Sequence, residues 1–189
     1  MNARWGQAAD IPACLALTTL SQDHHARLGV AARSARHFWL RRLREAARSG
    51  HVLLGHGSQQ RTAAWRLIVS EDRVLNPFDD EAQPERAIVG MLVAHAAGPA
   101  DAAGRPGELT CHIDNAYVRP MFRRRGHTSR MVTLLGEWAT GAGAPSLDLQ
   151  VARVNAGAVH AWFWLGFRLT DARADDGFVA MSMPLHSEK

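Results

Sequence analysis

Four arginines crowd one short segment of this chain. Arg123, Arg124 and Arg125 stand directly before Gly126, and Arg119 lies four residues earlier. An alternating apolar strand pattern precedes the segment and a helical pattern follows it. Glycine lets a backbone approach an anion closely, the first turn of a helix offers unpaired N–H groups, and arginine adds bidentate donors. The segment therefore predicts a phosphate-binding turn, with a merely solubilising surface turn as the alternative.

Other reactive residue types form weaker patterns. The chain has neither G-x-x-x-x-G-K-S/T nor G-x-G-x-x-G, so two common phosphate-binding motifs are excluded. Cys14 and Cys111 have no partners at metal-ligand spacing and are predicted to be buried. Adjacent strand residues face opposite ways, which argues against Cys111 acting with His112. The run Asp23–His25 is predicted to lie in a solvated loop, so no metal site is expected.

The elements that must position the arginine turn alternate between helices and strands. Capping residues and apolar faces predict helices near residues 9–20, 34–50, 128–140 and 155–167, with Asp10 as the first N-cap. Short apolar runs predict strands near residues 51–56, 63–69, 86–95, 109–118, 146–151 and 178–185. This order favours an α/β layered fold in a single domain over residues 1–189.

The strand before the arginine turn alternates over residues 111–116. Its pattern predicts one face with Cys111, Ile113 and Asn115 and the opposite face with His112, Asp114 and Ala116.

The composition narrows the class of protein. Hydrophobic residues make up 47% of the 189 residues, enough for a sizeable core. No apolar run approaches the roughly 18 residues of a membrane helix, and the N-terminus lacks a secretory pattern, so a cytoplasmic protein without membrane contact is predicted. The net charge of +4 leaves a polyanion partner conceivable. No basic stripe extends beyond the turn, which argues against nucleic acid.

Two blocks of the sequence resemble the GNAT superfamily of N-acetyltransferases. The first is IDNAYVRPMFRRRGHTSRMV, where Val-x-Pro is followed by the family's acetyl-CoA signature, Gln/Arg-x-x-Gly-x-Gly/Ala, over residues 123–128. Thr128 departs from the pattern, since the family usually has Gly or Ala there. The second block, LDLQVARVNAGAVHAWFWLGFRL, matches at Asn155, Ala158, Gly166 and Phe167. The resemblance implies a mixed, mostly antiparallel sheet flanked by helices.

The resemblance also implies how acetyl-CoA would be held as a co-substrate. Two strands, carrying Val118 and residues 146–151, would splay apart to form a slot. A backbone N–H near Val118 would polarise the thioester carbonyl, and N–H groups from Arg124 to Ser129 would hold the pyrophosphate. The predicted contacts are Tyr117, Val118, Arg119, Arg123, Arg124, Arg125, Gly126, His127, Thr128, Ser129, Asn155 and Trp162.

The sequence offers several candidates for the catalytic groups. His112 is the first candidate for the general base and Asp114 the second, with direct attack and loss of the proton to water as a third route. Trp162 occupies the family's usual tyrosine position, and an indole N–H cannot supply a proton. His160 is a remote substitute for the missing acid.

The acceptor is predicted to be a primary amine of a small molecule or a peptide. The resemblance implies that the first two helices, their connecting loop and the loop before the last strands form its site, here residues 21–33, 70–85 and 171–177, with acidic residues to attract a cation. Those residues are Asp79, Asp80, Glu81, Asp175 and Asp176. A catalytically inactive acyl-CoA sensor and a nucleic-acid-binding protein are the rival hypotheses, and homodimer formation is left open.

Overall fold

Helices and strands are interspersed along the chain, but they do not alternate one by one as the sequence predicts, because the first two helices are consecutive and four strands follow them. The structure, a computed structural model, describes residues 2–30, 36–48, 51–54, 61–74, 85–98, 109–170 and 177–185. Its helices are α1 (Ile11–Arg27), α2 (Arg36–Ala47), α3 (His127–Gly141) and α4 (Ala156–Trp164). Among these residues, every helix is too short or too polar to cross a lipid bilayer.

One mixed sheet forms the centre of the molecule. Its strands are β1 (Asn2–Trp5), β2 (His51–Leu54), β3 (Arg61–Val74), β4 (Glu85–Gly98), β5 (Thr110–Val118), β6 (Ser146–Ala152), β7 (Arg168–Leu169) and β8 (Phe178–Pro184). The order across the sheet is β1-β3-β4-β5-β6-β8-β7, and β2 also pairs with β3. All described pairs are antiparallel except β5 with β6, which is parallel. The predicted mostly antiparallel sheet flanked by helices is confirmed.

Each face of the sheet packs against its own pair of helices. On one face, α1 and α2 bury an apolar cluster that includes Leu17, Leu43 and Trp65. On the other face, α3 and α4 bury a second cluster around Leu135 and Phe167. The predicted apolar stripe of α2 is confirmed, because its buried residues are Trp39, Leu43 and Ala46.

The N-terminus of α1 is held by an ion pair rather than by a side-chain cap. Asp10 stands at the N-cap position but makes no capping bond to the helix. Its two carboxylate oxygens instead accept hydrogen bonds from Arg4 at 2.7 and 2.9 Å. Arg4 also contacts Glu71 of β3. Asp10 is therefore the N-cap residue as predicted, but its carboxylate joins β1 to the start of α1 instead of capping the helix.

A β-bulge in β5 breaks the predicted alternation. Val93 of β4 lies opposite Asn115 and Ala94 lies opposite Ile113, so Asp114 has no partner on β4. Two consecutive residues then project from the same face: Asp114 contacts His95, and Asn115 approaches Ser21 of α1. An extra residue in one strand produces this effect.

The bulge also reverses the faces of the residues that follow it. Cys111 and Ile113 belong to the cluster beneath α3, and Ala116 packs against that same cluster. The sequence pattern placed Asn115 with Cys111 and Ile113, and Ala116 with His112 and Asp114. Both assignments are wrong, because strict alternation holds only as far as the bulge.

Candidate active site

A cleft opens where β5 and β6 stop pairing. The two strands are joined only at Cys111–Leu147, His112–Asp148 and Ile113–Leu149. Beyond these pairs, β5 continues to Val118 alongside β4, and β6 continues to Ala152 alongside β8. The strands therefore diverge, and a cavity of about 150 Å³ lies between them. This is the splayed slot that the sequence resemblance implies.

Residues from six elements line the cleft. Helix α1 contributes Ser21, Gln22 and His25, and α2 contributes Trp39. The remaining described lining residues include Asp114 and Asn115 of β5, Gln150 of β6, Asn155 and Trp162 at α4, and Phe178 of β8. Among the described lining residues, Asp114 supplies the carboxylate, and Trp39, Trp162 and Phe178 supply aromatic rings.

The histidine at residue 25 is a lining residue that the sequence did not identify. The run Asp23–His25 was predicted to be a solvated loop, but it lies in the last turns of α1. His25 is half-buried and faces the cleft. The prediction of a loop is wrong because α1 continues about two turns past the apolar run that indicated it.

The arginine turn leads directly into the N-terminus of α3. Gly126 is the N-cap with a φ of +80°, and no side chain caps the helix. The first backbone bond of α3 runs from the Arg130 N–H to the Gly126 carbonyl at 3.1 Å. The N–H groups of His127, Thr128 and Ser129 therefore have no acceptor within the helix. Together with the helix dipole, they form a site suited to an anion.

Two of the three consecutive arginines fold back on the turn. Arg123 donates its Nε–H to the Val118 carbonyl at 3.1 Å and lies over the Tyr117 ring. Arg125 lies over the Phe122 ring, 5.3 Å from its centre. Arg124 has a φ of +60°, a left-handed conformation that is uncommon for a residue with a side chain. The three arginine side chains remain exposed and so add positive charge beside α3.

The end of β5 presents a backbone N–H to the cleft. Arg119 donates its N–H to the Val89 carbonyl of β4 at 2.9 Å. Backbone groups of successive strand residues point to opposite edges, so the Val118 N–H points away from β4, toward the side where β6 has diverged. The Arg119 side chain leaves its Nε buried without a hydrogen-bond partner. A ligand with phosphate or carbonyl oxygens would fit both donors.

The His127 side chain anchors the turn to the sheet. It is 2% exposed, and its Nδ1 lies 2.7 Å from the Ser70 hydroxyl of β3. Its Nε2 lies 3.3 Å from the Asp72 carboxylate. Burial lowers the pKa of His127, and the nearby Asp72 only partly opposes that effect. The backbone N–H of His127 can bind a ligand, whereas its imidazole is buried in the core.

Histidines and a carboxylate meet on the α1–α2 face of the sheet. His95 of β4 lies directly opposite His112 of β5, with their ring centres 5.7 Å apart. The His95 Nδ1 is 2.7 Å from Asp114 Oδ2. Asp114 faces the cleft, whereas His112 is not among the lining residues. The structure thus brings both predicted base candidates together and adds His95.

The sequence offered one signal for His95. It is a polar residue that ends the apolar run of residues 87–94, but only the strand register places it beside His112. Cys111 faces the opposite side, in the α3 cluster, and burial raises the pKa of its thiol to about 12. The expected separation of Cys111 from His112 is confirmed, and a thiolate at Cys111 is excluded.

The remaining predicted contacts lie at α4. The Asn155 side chain accepts a hydrogen bond from the Ala158 N–H at 3.2 Å and so caps α4 at the cleft. Trp162 is buried, with its ring edge-on to Phe167. His160 is exposed and does not line the cleft. The acidic residues predicted to attract an amine, Asp79, Asp80, Glu81, Asp175 and Asp176, lie outside the described residues.

Solved structures share this fold at low sequence identity. Arabidopsis thaliana NAA60 in complex with acetyl-CoA is 13% identical, with a TM-score of 0.61 over 97% of this chain and 98% of that chain. The PaiA N-acetyltransferase of Thermoplasma acidophilum in complex with coenzyme A is 11% identical, with a TM-score of 0.61 over 97% and 99%. The aminoglycoside 6'-N-acetyltransferase AAC(6')-IG of Acinetobacter haemolyticus is 14% identical, with a TM-score of 0.61 over 93% and 96%.

Sequence comparisons supply the family. A search of curated proteins finds no match. The family model for GNAT acetyltransferases matches residues 20–167, which is more than half of the chain. Within that range lie the uncapped start of α3 and the point where β5 and β6 diverge. The chain therefore belongs to the GNAT family of acetyltransferases.

Proposed function

We propose that this protein transfers an acetyl group from acetyl-CoA directly to a primary amine of a small molecule or a peptide. One observation carries the proposal: the cleft between β5 and β6 opens beside the uncapped, arginine-rich N-terminus of α3. A long ligand with a pyrophosphate at one end and an acyl group at the other matches this arrangement. Family membership and neighbours that hold acetyl-CoA or coenzyme A support the same choice.

The chain's own groups suit such a ligand. The N–H groups at the start of α3 and the arginine side chains would bind the pyrophosphate. The Val118 N–H and the backbone from Tyr117 to Arg119 would bind the pantetheine arm and polarise the thioester carbonyl. The unpartnered Arg119 Nε supplies one further donor. Asn155 and Trp162 would close the far side of the cleft.

Acetyl transfer requires an acceptor amine with a free electron pair. Asp114 lies on the cleft wall, so it is the candidate that can contact an ammonium group and accept its proton. His112 lies behind Asp114 in the same polar cluster and would act through it. The amine nitrogen then forms a bond to the carbonyl carbon as the C–S bond breaks. Trp162 can donate a hydrogen bond to the departing sulfur, and the thiolate takes its proton from solvent.

Calorimetry with acetyl-CoA tests the binding step. We expect micromolar binding to the wild-type protein and its loss in Gly126→Glu, which places a negative charge and a side chain at a left-handed position in the turn. Gly141→Glu is the matched control, because the same change falls at the other end of α3, where an added Cβ meets no atom within 4 Å. Circular dichroism confirms that each variant folds. A folded wild-type protein that does not bind acetyl-CoA would overturn the proposal.

Trp162 favours a second candidate function, a non-catalytic acyl-CoA sensor. An indole cannot protonate the departing thiolate, unlike the tyrosine that is usual in the family at this position. The two functions differ in turnover, not in binding. Release of coenzyme A from acetyl-CoA with any member of a panel of primary amines supports the enzyme, and tight binding without release across the panel supports the sensor.

A further inference from the structure

We propose that His95 is a positioning residue of the acetyl-transfer site and holds the Asp114 carboxylate toward the acceptor amine. This inference rests on the proposed function. His95 lies on β4, one strand away from the cleft wall, and contacts the site through Asp114.

The bulge explains why Asp114 needs such a partner. Asp114 is the extra residue of β5 and has no partner on β4, so the ladder does not fix its backbone as it fixes its neighbours. The side chain is held instead by the hydrogen bond from His95 Nδ1 to Oδ2 at 2.7 Å. Because this bond uses Oδ2, the other carboxylate oxygen is left for a ligand in the cleft.

His95 is itself held in place by aromatic contacts. Trp65, His95 and His112 are directly opposite one another on β3, β4 and β5. The His95 ring centre lies 4.7 Å from that of Trp65 and 5.7 Å from that of His112. Trp65 is covered in turn by the Arg42 guanidinium of α2, at 4.1 Å. The packing on both sides restricts rotation of the imidazole, so its Nδ1 stays directed at Asp114.

The arrangement assigns separate tasks to the two residues. Asp114 attracts the acceptor ammonium and accepts a proton from it, while His95 keeps the carboxylate correctly oriented. The amine nitrogen and the acetyl carbon then form a bond as the C–S bond of the thioester breaks. The proton on Asp114 afterwards passes to solvent. His95 donates through Nδ1–H throughout and exchanges no proton with the amine.

Two substitutions separate the hydrogen bond from the bulk of the ring. The amide nitrogen of His95→Asn can stand where Nδ1 stands, whereas His95→Leu keeps an apolar side chain and removes the donor. With the best amine of the panel, we expect His95→Leu to lower kcat/KM by about tenfold or more while the acetyl-CoA Kd stays within about twofold. His95→Asn should recover most of the loss. Wild-type turnover in a folded His95→Leu variant would overturn the proposal, as would equal losses in both variants.

A measurement without turnover keeps this inference distinct from the proposed function. Nitrogen NMR of imidazole-labelled protein reports which ring nitrogen carries hydrogen. We expect His95 to be protonated at Nδ1 and its Nδ1–H signal to move in Asp114→Asn. A His95 ring protonated only at Nε2 would refute the positioning role even if the enzyme is active. If acetyl-CoA fails to bind at all, the proposed function fails, and His95 loses its role in acetyl transfer whatever the NMR result.

Discussion

Replacement of His127 by alanine tests whether the anchor beneath the arginine turn stabilises the fold. The imidazole is 2% exposed and packs edge-on against Phe122. Removing its ring leaves a cavity worth about 1.5 kcal/mol at ~24 cal/mol per Å³. Losing the 2.7 Å contact with Ser70 adds about 1 kcal/mol. We therefore expect His127→Ala to lower the free energy of unfolding by about 2 to 3 kcal/mol.

Urea unfolding of a double-mutant cycle measures both terms. Ser70→Ala alone should cost less than His127→Ala, because it removes a hydroxyl and leaves the ring in place. If the two side chains interact as the structure shows, the double variant should cost about 1 kcal/mol less than the sum of the single ones. Additive losses would refute the hydrogen bond, and a loss below about 0.5 kcal/mol in His127→Ala would refute the anchor itself.

The same imidazole predicts a pH dependence with a definite sign. Burial lowers the pKa of His127 from its ordinary value of 6.5, so below that value the unfolded chain binds a proton that the folded protein resists. The neutral imidazole therefore contributes its full stabilisation of the fold above about pH 7, and this contribution is lost as the pH falls through 6.5 toward the folded pKa. His127→Gln should flatten this part of the profile. His160→Gln is the control, because the side chain of His160 is exposed. An unchanged slope in His127→Gln would contradict the assignment.

Two further substitutions test packing and electrostatics away from the cleft. Gly6→Ala should lower the free energy of unfolding by about 1 to 3 kcal/mol, because an added Cβ would lie 2.6 Å from Leu67 Cδ2. Gly157→Ala is the control in the same urea experiment. It should leave the free energy of unfolding unchanged or raise it, because Gly157 lies at an open helical position. The hydrogen bonds from Arg4 lower the pKa of Asp10, so the ionised carboxylate stabilises the folded protein, and this contribution is lost as the pH falls through the folded pKa. Asp10→Asn should therefore make the thermal unfolding temperature depend less on pH below about pH 4. If the unfolding temperature of Asp10→Asn falls with acid as steeply as that of the wild-type protein, the ion pair does not contribute to stability.

The sequence by itself determined the family and the arginine turn that we propose binds an anion. Both depend on local patterns. The arginines and the glycine between a strand and a helix are visible in consecutive residues. The helix that follows has unpaired N–H groups at its start regardless of what it packs against. The apolar face of α2 was predictable for the same reason, since helical spacing alone places Trp39, Leu43 and Ala46 together.

Only the tertiary structure decided which polar groups meet at the cleft. The bulge at Asp114 depends on how β5 pairs with β4, and no pattern within β5 announces it. That pairing puts Asn115 on the face opposite to the predicted one and brings His95, 19 residues away, within hydrogen-bond distance of Asp114. Strand register is a long-range property, so the sequence supplied the candidate residues but could not supply the pair.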